Sequence, residues 1–216
     1  MTTNKEDYLK AIYHSGGLNE RATTKAIAEQ LGIASASVTE MLARLAREGL
    51  ILYEPYKGSQ LTEKGLRACI GIVRSHELWE VFLVRYLDYS WSEAHEDAEF
   101  LEHATTERLA ERLDHFLQHP EVCPHGAVIP RMERIPQERK LSPLAFQPVG
   151  KTAVIRQVEE EKELLDYLEG LGMKIGSRAT VLSFGAYDGP LEILLDGHPV
   201  QISRKAAEKI RVEPDE

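Results

Sequence analysis

Between Thr23 and Gly49 the chain has room for two helices, one tight turn and little else. Thr23-Thr24-Lys25-Ala26-Ile27-Ala28-Glu29-Gln30-Leu31 runs into Gly32-Ile33, and a second periodic stretch begins at Ser35 and ends at Gly49. Ile27, Leu31, Val38, Leu42 and Leu45 recur at helical spacing and fill a shared core, while Ala28 is small where the two helices would cross closely. A helix over 4–14 precedes them, with Tyr8, Leu9, Ile12 and Tyr13 as its apolar positions, Asn4 as its cap and Gly16-Gly17 as its stop. After Gly49, the stretch 50–62 reads as two short strands around Tyr56-Lys57-Gly58. Helices followed by such a wing make a winged helix-turn-helix, whose second paired helix enters the major groove of DNA. The expected DNA-facing residues are Ser35, Ala36, Ser37, Thr39 and Arg44 on that helix, and Lys57 in the wing.

The overall charge of −9 argues against a nucleic-acid partner until it is divided along the chain. Residues 1–65 hold eight basic and eight acidic side chains, residues 66–140 nine and fourteen, and residues 141–216 nine and thirteen, giving 0, −5 and −4. The surplus acidity therefore lies outside the DNA-binding segment, and a cation bound there would improve the grip on DNA. No apolar run approaches the roughly 18 to 20 residues that cross a bilayer, and the polar start Met-Thr-Thr-Asn-Lys is unlike a signal peptide, so a cytoplasmic protein with no membrane partner is expected. Cys69 and Cys123 give little basis for a disulfide framework.

The acidic middle is rich in metal-ligand types. At 100° per residue, His95, Glu99, Glu102 and His103 fall at about 0°, 40°, −20° and 80°, one arc of a helix. His76 and Glu80 share a face four residues apart, and Cys123-Pro124-His125 adds two donors. Any one such pair is ordinary on a solvated helix. Their repetition, the mutual repulsion of the carboxylates, and the apolar flank of Phe100 and Leu101 favour a bound cation. Asp7, in the opening turn of the first helix, also suits the helix dipole alone.

From residue 64 to 118 the period is helical in three pieces. The first, over 64–87, carries Ile70, Val73, Leu78, Val81, Phe82 and Leu83, enough apolar surface to suggest a homodimer seam. The third, 105–118, turns Leu109, Leu113, Phe116 and Leu117 inward and stops at His119-Pro120. Residues 141–149 read as a linker. Beyond Gly150, alternation gives strands near 152–158, 179–183, 191–195, 200–202 and 210–212 with one helix over 161–171, a small β-barrel. The fold class is thus mainly α with small β parts: a winged helix-turn-helix (1–65), a helical dimerisation and metal-binding domain (66–140), the linker, and a C-terminal β-barrel (150–216).

These residues resemble the diphtheria-toxin-repressor family of metal-dependent transcriptional regulators along the whole chain, and within it the manganese-transport regulators. The markers are Glu6-Asp7-Tyr8 with Ile12-Tyr13, the helix-turn-helix, Leu61-Thr62 before Gly65, His76-Glu77-Leu78, Glu99 with Glu102-His103, and Cys123-Pro-His-Gly-Ala-Val-Ile-Pro130. Residues 150–216 resemble the family's SH3-like domain, akin to FeoA. The resemblance implies a main metal site of Asp7, Glu99, Glu102 and His103, joined by Cys123 and His125. It implies a second site of His76, Glu80 and His95 completed by an acidic residue, for which Glu160 competes with Glu159, Glu161 and Glu163. It also implies a repressor of metal-uptake genes acting on a palindromic double-stranded operator. One departure stands out: Lys10 occupies the position of a Glu in members with a two-metal cluster, and an ammonium cannot ligate.

The oxygen donors Asp7, Glu99 and Glu102 suit Mn2+ or Fe2+, whereas the family's iron sensors carry softer sulfur donors at the positions of Asp7 and Glu99. Mn2+ is the expected signal and Fe2+ the alternative. Cys123 draws toward softer ions, and Zn2+ or Co2+ are expected to substitute in vitro. A metal-dependent hydrolase is the distant alternative, but no His-Glu-x-x-His run, Gly-rich phosphate loop or nucleophile elbow occurs, so no catalytic residue is assigned. A winged-helix interaction module whose metals only staple the fold is a further rival.

Overall fold

The computed structural model describes residues 2–17, 20–131 and 140–215. They form two compact units, the first built on residues up to His76 with Phe100–Glu111, the second on Glu77–Glu99, Arg112–Ile129 and the C-terminal part. The division into three differs from this because the long helices belong to both units in turn.

In the first unit, α1 (Thr3–His14), α2 (Thr24–Leu31) and α3 (Ser35–Arg47) enclose a core of Leu9, Ile12, Ile27, Val38, Leu42 and Leu45, joined by Cys69 and Val73 of α4 (Glu63–Leu87). Helix α1 starts one residue before Asn4, with Thr2 at the cap position. The Thr23 hydroxyl accepts the Ala26 amide hydrogen at 3.1 Å to start α2, and Gly32, at φ 63°, ends it in the left-handed region that glycine reaches without steric cost. Strands β1 (Ile51–Glu54) and β2 (Gly58–Leu61) pair antiparallel as the wing, and Ser59 also exchanges both backbone hydrogen bonds with Ala22. Phe100, expected to flank the carboxylates with apolar surface, is 78% exposed on α5 (Trp91–Ala104).

The second unit holds a six-stranded antiparallel sheet in the order β3-β8-β4-β5-β6-β7. Its strands are β3 (Ser142–Pro143), β4 (Thr152–Val158), β5 (Arg178–Phe184), β6 (Leu191–Leu195), β7 (His198–Ile202) and β8 (Ile210–Pro214). Bulges between Ile155 and Gln157 and between Val181 and Ser183 bend it. Alternate residues Ala153, Ile155, Val181 and Ile193 pack on Leu165 and Leu168 of α7 (Lys162–Gly170) and Ala207 of α8 (Arg204–Glu208). The expected linker is folded: Ser142 and Pro143 pair with β8, and a 3-10 turn over Leu144–Phe146 buries Leu144 in this core. Two paired residues beside a proline give no readable period, so the sequence hid them. Of the Pro- and charge-rich stretch 131–149, residues 132–139 lie outside the described residues.

Helical residues enter the second unit through packing on the same core. Trp91 lies in it, its amide donating to Glu169 Oε2 at 3.0 Å, and Lys162 pairs with Glu96 at 2.5 Å. After α6 (Glu107–Phe116), the loop Cys123–Gly126 lies against β4: the Val158 amide donates to the His125 carbonyl at 3.0 Å. A Cβ on Gly126 would come within 1.9 Å of the Arg156 carbonyl oxygen, and its φ is +89°, so only glycine fits. Leu109 and Phe116, expected inward, are exposed, whereas Leu113 and Leu117 are buried. Ile70, Val73, Leu78, Val81 and Leu83 are buried within the chain rather than forming a seam; the exposed apolar groups of α4 are Tyr86 and Leu87. Tyr86 packs on Phe82 and Phe116 with ring centroids 5.6 and 5.0 Å away.

Gly126→Ala should therefore cost roughly 1–3 kcal/mol in urea denaturation, through strain and the lost backbone bond. Gly71→Ala, on α4 with an ordinary helical backbone and nothing within 4 Å of the place a Cβ would take, should instead be neutral or stabilising by up to about 1 kcal/mol.

Candidate metal centres

The first unit gathers one cluster. Helix α1 supplies Glu6, Asp7 and Lys10, α4 supplies His76, and the last turn of α5 supplies Glu102 and His103. His103 is gripped from α1: its Nδ1 lies 2.7 Å from Glu6 Oε2 and its Nε2 3.0 Å from Asp7 Oδ1. Ligand atoms of Asp7, Glu102 and His103 all lie within 4.8 Å of one another. Glu102 is buried and its two oxygens are treated differently. Oε2 receives Lys10 Nζ at 2.7 Å and lies 2.7 Å from His76 Nδ1. Oε1 is buried without a hydrogen-bond donor, 3.5 Å from His103 Nε2. A buried carboxylate oxygen left without a partner is costly. A divalent cation held by Asp7, Glu102 and His103 would satisfy it, so the residues fit a metal. Glu99 lies one turn earlier on α5, where His95 Nε2 is 3.9 Å from its Oε1.

The second unit gathers another. Glu77 and Glu80 come from α4, His95 from α5, Cys123 and His125 from the loop after α6, and Glu160 from the segment after β4. Glu80 reaches His95 Nδ1 with Oε1 and His125 Nδ1 with Oε2, both at 3.0 Å. Glu160 stands 3.8 Å from the first ring and 3.7 Å from the second. Glu80, Cys123, His125 and Glu160 offer ligand atoms within 4.8 Å of one another. The competing acids are engaged elsewhere: Glu159 with Arg211 at 3.2 Å, Glu161 with Lys209, while Glu163 is exposed on α7.

This second grouping redraws the division expected from the sequence. Cys123 and His125 offer ligand atoms within 4.8 Å of those of Glu80 and Glu160, and their loop is hydrogen-bonded to the strand that leads to Glu160. His76 has its Nδ1 2.7 Å from Glu102 Oε2, and His76, Glu80, His95 and Glu160 offer ligand atoms within 4.8 Å of one another, as expected. Glu6, Glu77 and the pairing of Lys10 with Glu102 were missed. Glu6 and Glu77 adjoin Asp7 and His76 in the chain, a signal too common to select them.

Burial and three carboxylates set the charge state of the second cluster. Burial, then the charges of Glu77, Glu80 and Glu160, push the Cys123 thiol well above its usual range. Burial pulls the His125 imidazole down, but Glu80, Glu160 and Glu77 outweigh it and raise the group to about 9. Geometry agrees: Nδ1 faces Glu80, and Nε2 lies 3.2 Å from the Trp91 carbonyl oxygen, so both nitrogens face acceptors and His125 is an imidazolium at neutral pH. For His125 to hold a metal it would first have to lose a ring proton, while the contact of Nε2 with the Trp91 carbonyl oxygen fixes the ring's orientation.

The DNA-facing set of Ser35, Ala36, Ser37, Thr39, Arg44 and Lys57 is exposed. Ala34 caps α3 without a side-chain bond, so Ser35 is the first helical residue. Thr39 Oγ1 donates to the Ser35 carbonyl at 2.9 Å, Arg44 pairs with Glu48 at 3.5 Å, and Lys57 with Glu54 at 2.8 Å.

Comparison with known proteins gives this arrangement a family. Residues 1–59 match the iron dependent repressor N-terminal DNA binding domain, 62–131 the iron dependent repressor metal binding and dimerisation domain, and 142–214 the FeoA domain. The iron-dependent repressor IdeR of Mycobacterium leprae is 30% identical over 230 residues, covering 99% of this chain and 98% of that one. Among solved structures, a manganese-dependent transcriptional repressor in complex with manganese superposes with a TM-score of 0.86 at 32% identity, covering 97% of this chain and 99% of the other. The manganese regulator SloR gives 0.79 at 36% identity, with both chains covered completely. These relatives are regulators of transcription, which sets the hydrolase alternative aside. The chain belongs to the diphtheria-toxin-repressor family and is a metal-dependent transcriptional repressor with a FeoA-like C-terminal domain.

Proposed function

We propose that the repressor is switched by manganese and silences metal-uptake genes when the ion is plentiful. The observation that carries this reading is the donorless Glu102 Oε1, buried beside Asp7 and His103. Asp7 belongs to the helix that packs on the helix-turn-helix core, and Glu102 and His103 end α5. Ligation across these elements would hold α1 and, through the core shared by Leu9, Ile12, Val38 and Leu42, the aim of α3. The metal, when bound, supplies differential affinity for that arrangement. Moving a population from about 1:99 to 99:1 takes roughly 5.5 kcal/mol, within reach of two modest sites per chain.

Two carboxylates, with one borderline imidazole beside them, form an oxygen-rich donor set that suits Mn2+. Glu80, His95, His125, Glu160 and Cys123 are assigned to a second ion. The relatives divide between manganese regulators and iron-dependent repressors, and the Cys123 sulfur favours Fe2+ as the second reading. Dimerisation is assigned to the aromatic patch of Trp79, Phe82, Tyr86 and Phe116, whose rings pack on one another while Tyr86 and Phe116 remain exposed. A two-fold dimer would set α3 and its copy in major grooves about one turn apart on a palindromic operator, with Ser35, Ala36, Ser37 and Thr39 at the bases and Arg44 and Lys57 at phosphates.

Anaerobic gel shifts on the DNA upstream of the protein's own gene, with Mn2+ or Fe2+ at equal free concentration, decide the metal. Retardation with Mn2+ at micromolar levels supports the reading, and a response to Fe2+ alone overturns it. Asp7→Ala should weaken metal-dependent DNA binding by about 100-fold or more and shift the metal-free melting temperature far less. Equal loss of both would count against the switch. Affinity of the second site should rise with pH, because the imidazolium of His125, at about 9, must lose its proton first. Below that value the constant should climb roughly tenfold per pH unit from this group, more with Cys123, as read by competition with a chelating dye. The metal-free protein should follow the opposite sign. The stability that His125 gains from Glu80 is complete below pH 6.5, its usual value, and is lost as pH rises through about 9.

A further inference from the structure

The outward face of α3 is centred on residues other than the serines at its start. With Val38 at 0° and 100° per residue, the buried Leu42 and Leu45 fall at about 40° and −20°, so the opposite face is centred at about 190°. Ala36, Glu40, Ala43 and Arg47 lie there, at about 160°, 200°, 140° and 180°, and all four are exposed. Ser37, Thr39 and Arg44 stand to its sides, at about 260°, 100° and 240°. The two alanines leave room for the helix to approach the floor of a groove, and Glu40 stands between them. The neighbouring cations are engaged elsewhere. Arg44, one turn on, pairs with Glu48 at 3.5 Å, and Lys5 of α1 grips the same Glu48 at 2.6 and 2.7 Å. Arg47 Nε donates to the Ala43 carbonyl at 3.4 Å. Among the described residues no ion pair holds Glu40.

We propose that Glu40 is a base-reading residue: its carboxylate accepts the N4 amino hydrogen of one cytosine in each half-site and so selects a C·G pair there. The proposal rests on the reading of α3 as the major-groove helix. A carboxylate at the middle of a face that meets a polyanion is unfavourable unless the DNA offers it a donor. It has no hydrogen to give at neutral pH, so guanine, which presents only the acceptors N7 and O6, and thymine, with its O4, repel it. The major groove holds two donors, the amino groups of cytosine and adenine. Beside the adenine amino group stands the N7 lone pair, which faces the second carboxylate oxygen, whereas cytosine carries no acceptor at that edge. Cytosine is therefore the base that Glu40 accepts and the other three are rejected.

The test uses the full chain with saturating Mn2+, or Fe2+ under anaerobic conditions, and a library of randomised duplexes from which bound sequences are recovered. The parent should recover sequences with cytosine at one fixed position of each half-site. Glu40→Gln should move that position to adenine, which a glutamine holds at N6 and N7, and bind the parental sequence roughly tenfold more weakly or worse. Glu40→Ala should lose the preference at that position alone, and its grip on unrelated DNA should tighten, since a negative charge has left the interface. Identical sequences recovered by the parent and both variants overturn the role of Glu40. Ala43→Glu, an exposed substitution on the same face, should abolish DNA retardation and leave the melting temperature near the parent's. Parental DNA binding by Ala43→Glu overturns instead the docking of α3 beneath the proposal, and the proposal with it.

Discussion

A carboxylate out of water with only one of its oxygens served is the constraint on which the first unit turns. Glu102 is held in place by Lys10 and His76 on Oε2, and Oε1 faces Asp7 and His103 without a donor. An apolar site would not tolerate such a charge, and a fully hydrogen-bonded one would have no use for an ion. The half-served state is one from which a bound cation would gain. Asp7 sits on the helix whose Leu9 and Ile12 pack with Val38 and Leu42 of α3, so a gain at the cluster would pass to α3 through close-packed side chains.

The second cluster solves a similar problem with protons instead of a lysine. Glu77, Glu80 and Glu160 crowd a buried space, and His125 answers by staying charged up to about 9 while Cys123 stays a thiol. Its construction depends on the sheet: the loop bearing Cys123 and His125 is fastened to β4 by the Val158 amide and by the close approach of Gly126 to Arg156. Glu160 follows that strand by two residues. The segment after β4 thus brings a carboxylate beside Cys123 and His125.

Much of the fold was legible because helical and strand periods are local properties. The helices of the first unit, the wing, and strands β4 to β8 follow from the spacing of residues such as Ile27, Val38, Leu42, Ile155 and Ile193. The sequence missed what local period cannot carry. A two-residue strand at Ser142–Pro143 exists only through its pairing with β8, and the burial of Ile70, Val81 and Leu83 within one chain depends on what packs against α4.

The ligand types were likewise readable from the chain: His, Glu, Asp and Cys at helical spacing and in one Cys-Pro-His-Gly loop already pointed to a cation, and family likeness supplied Asp7. Which of them come together was decided in three dimensions. Cys123 and His125 join Glu80 and Glu160 because a backbone hydrogen bond and a glycine-sized gap bring a loop and a strand together. Lys10 reaches Glu102 across 92 positions of sequence. Spacing along a helix fixes which side chains share a face, but pairing between distant segments is set by how those faces are packed, which no local pattern encodes.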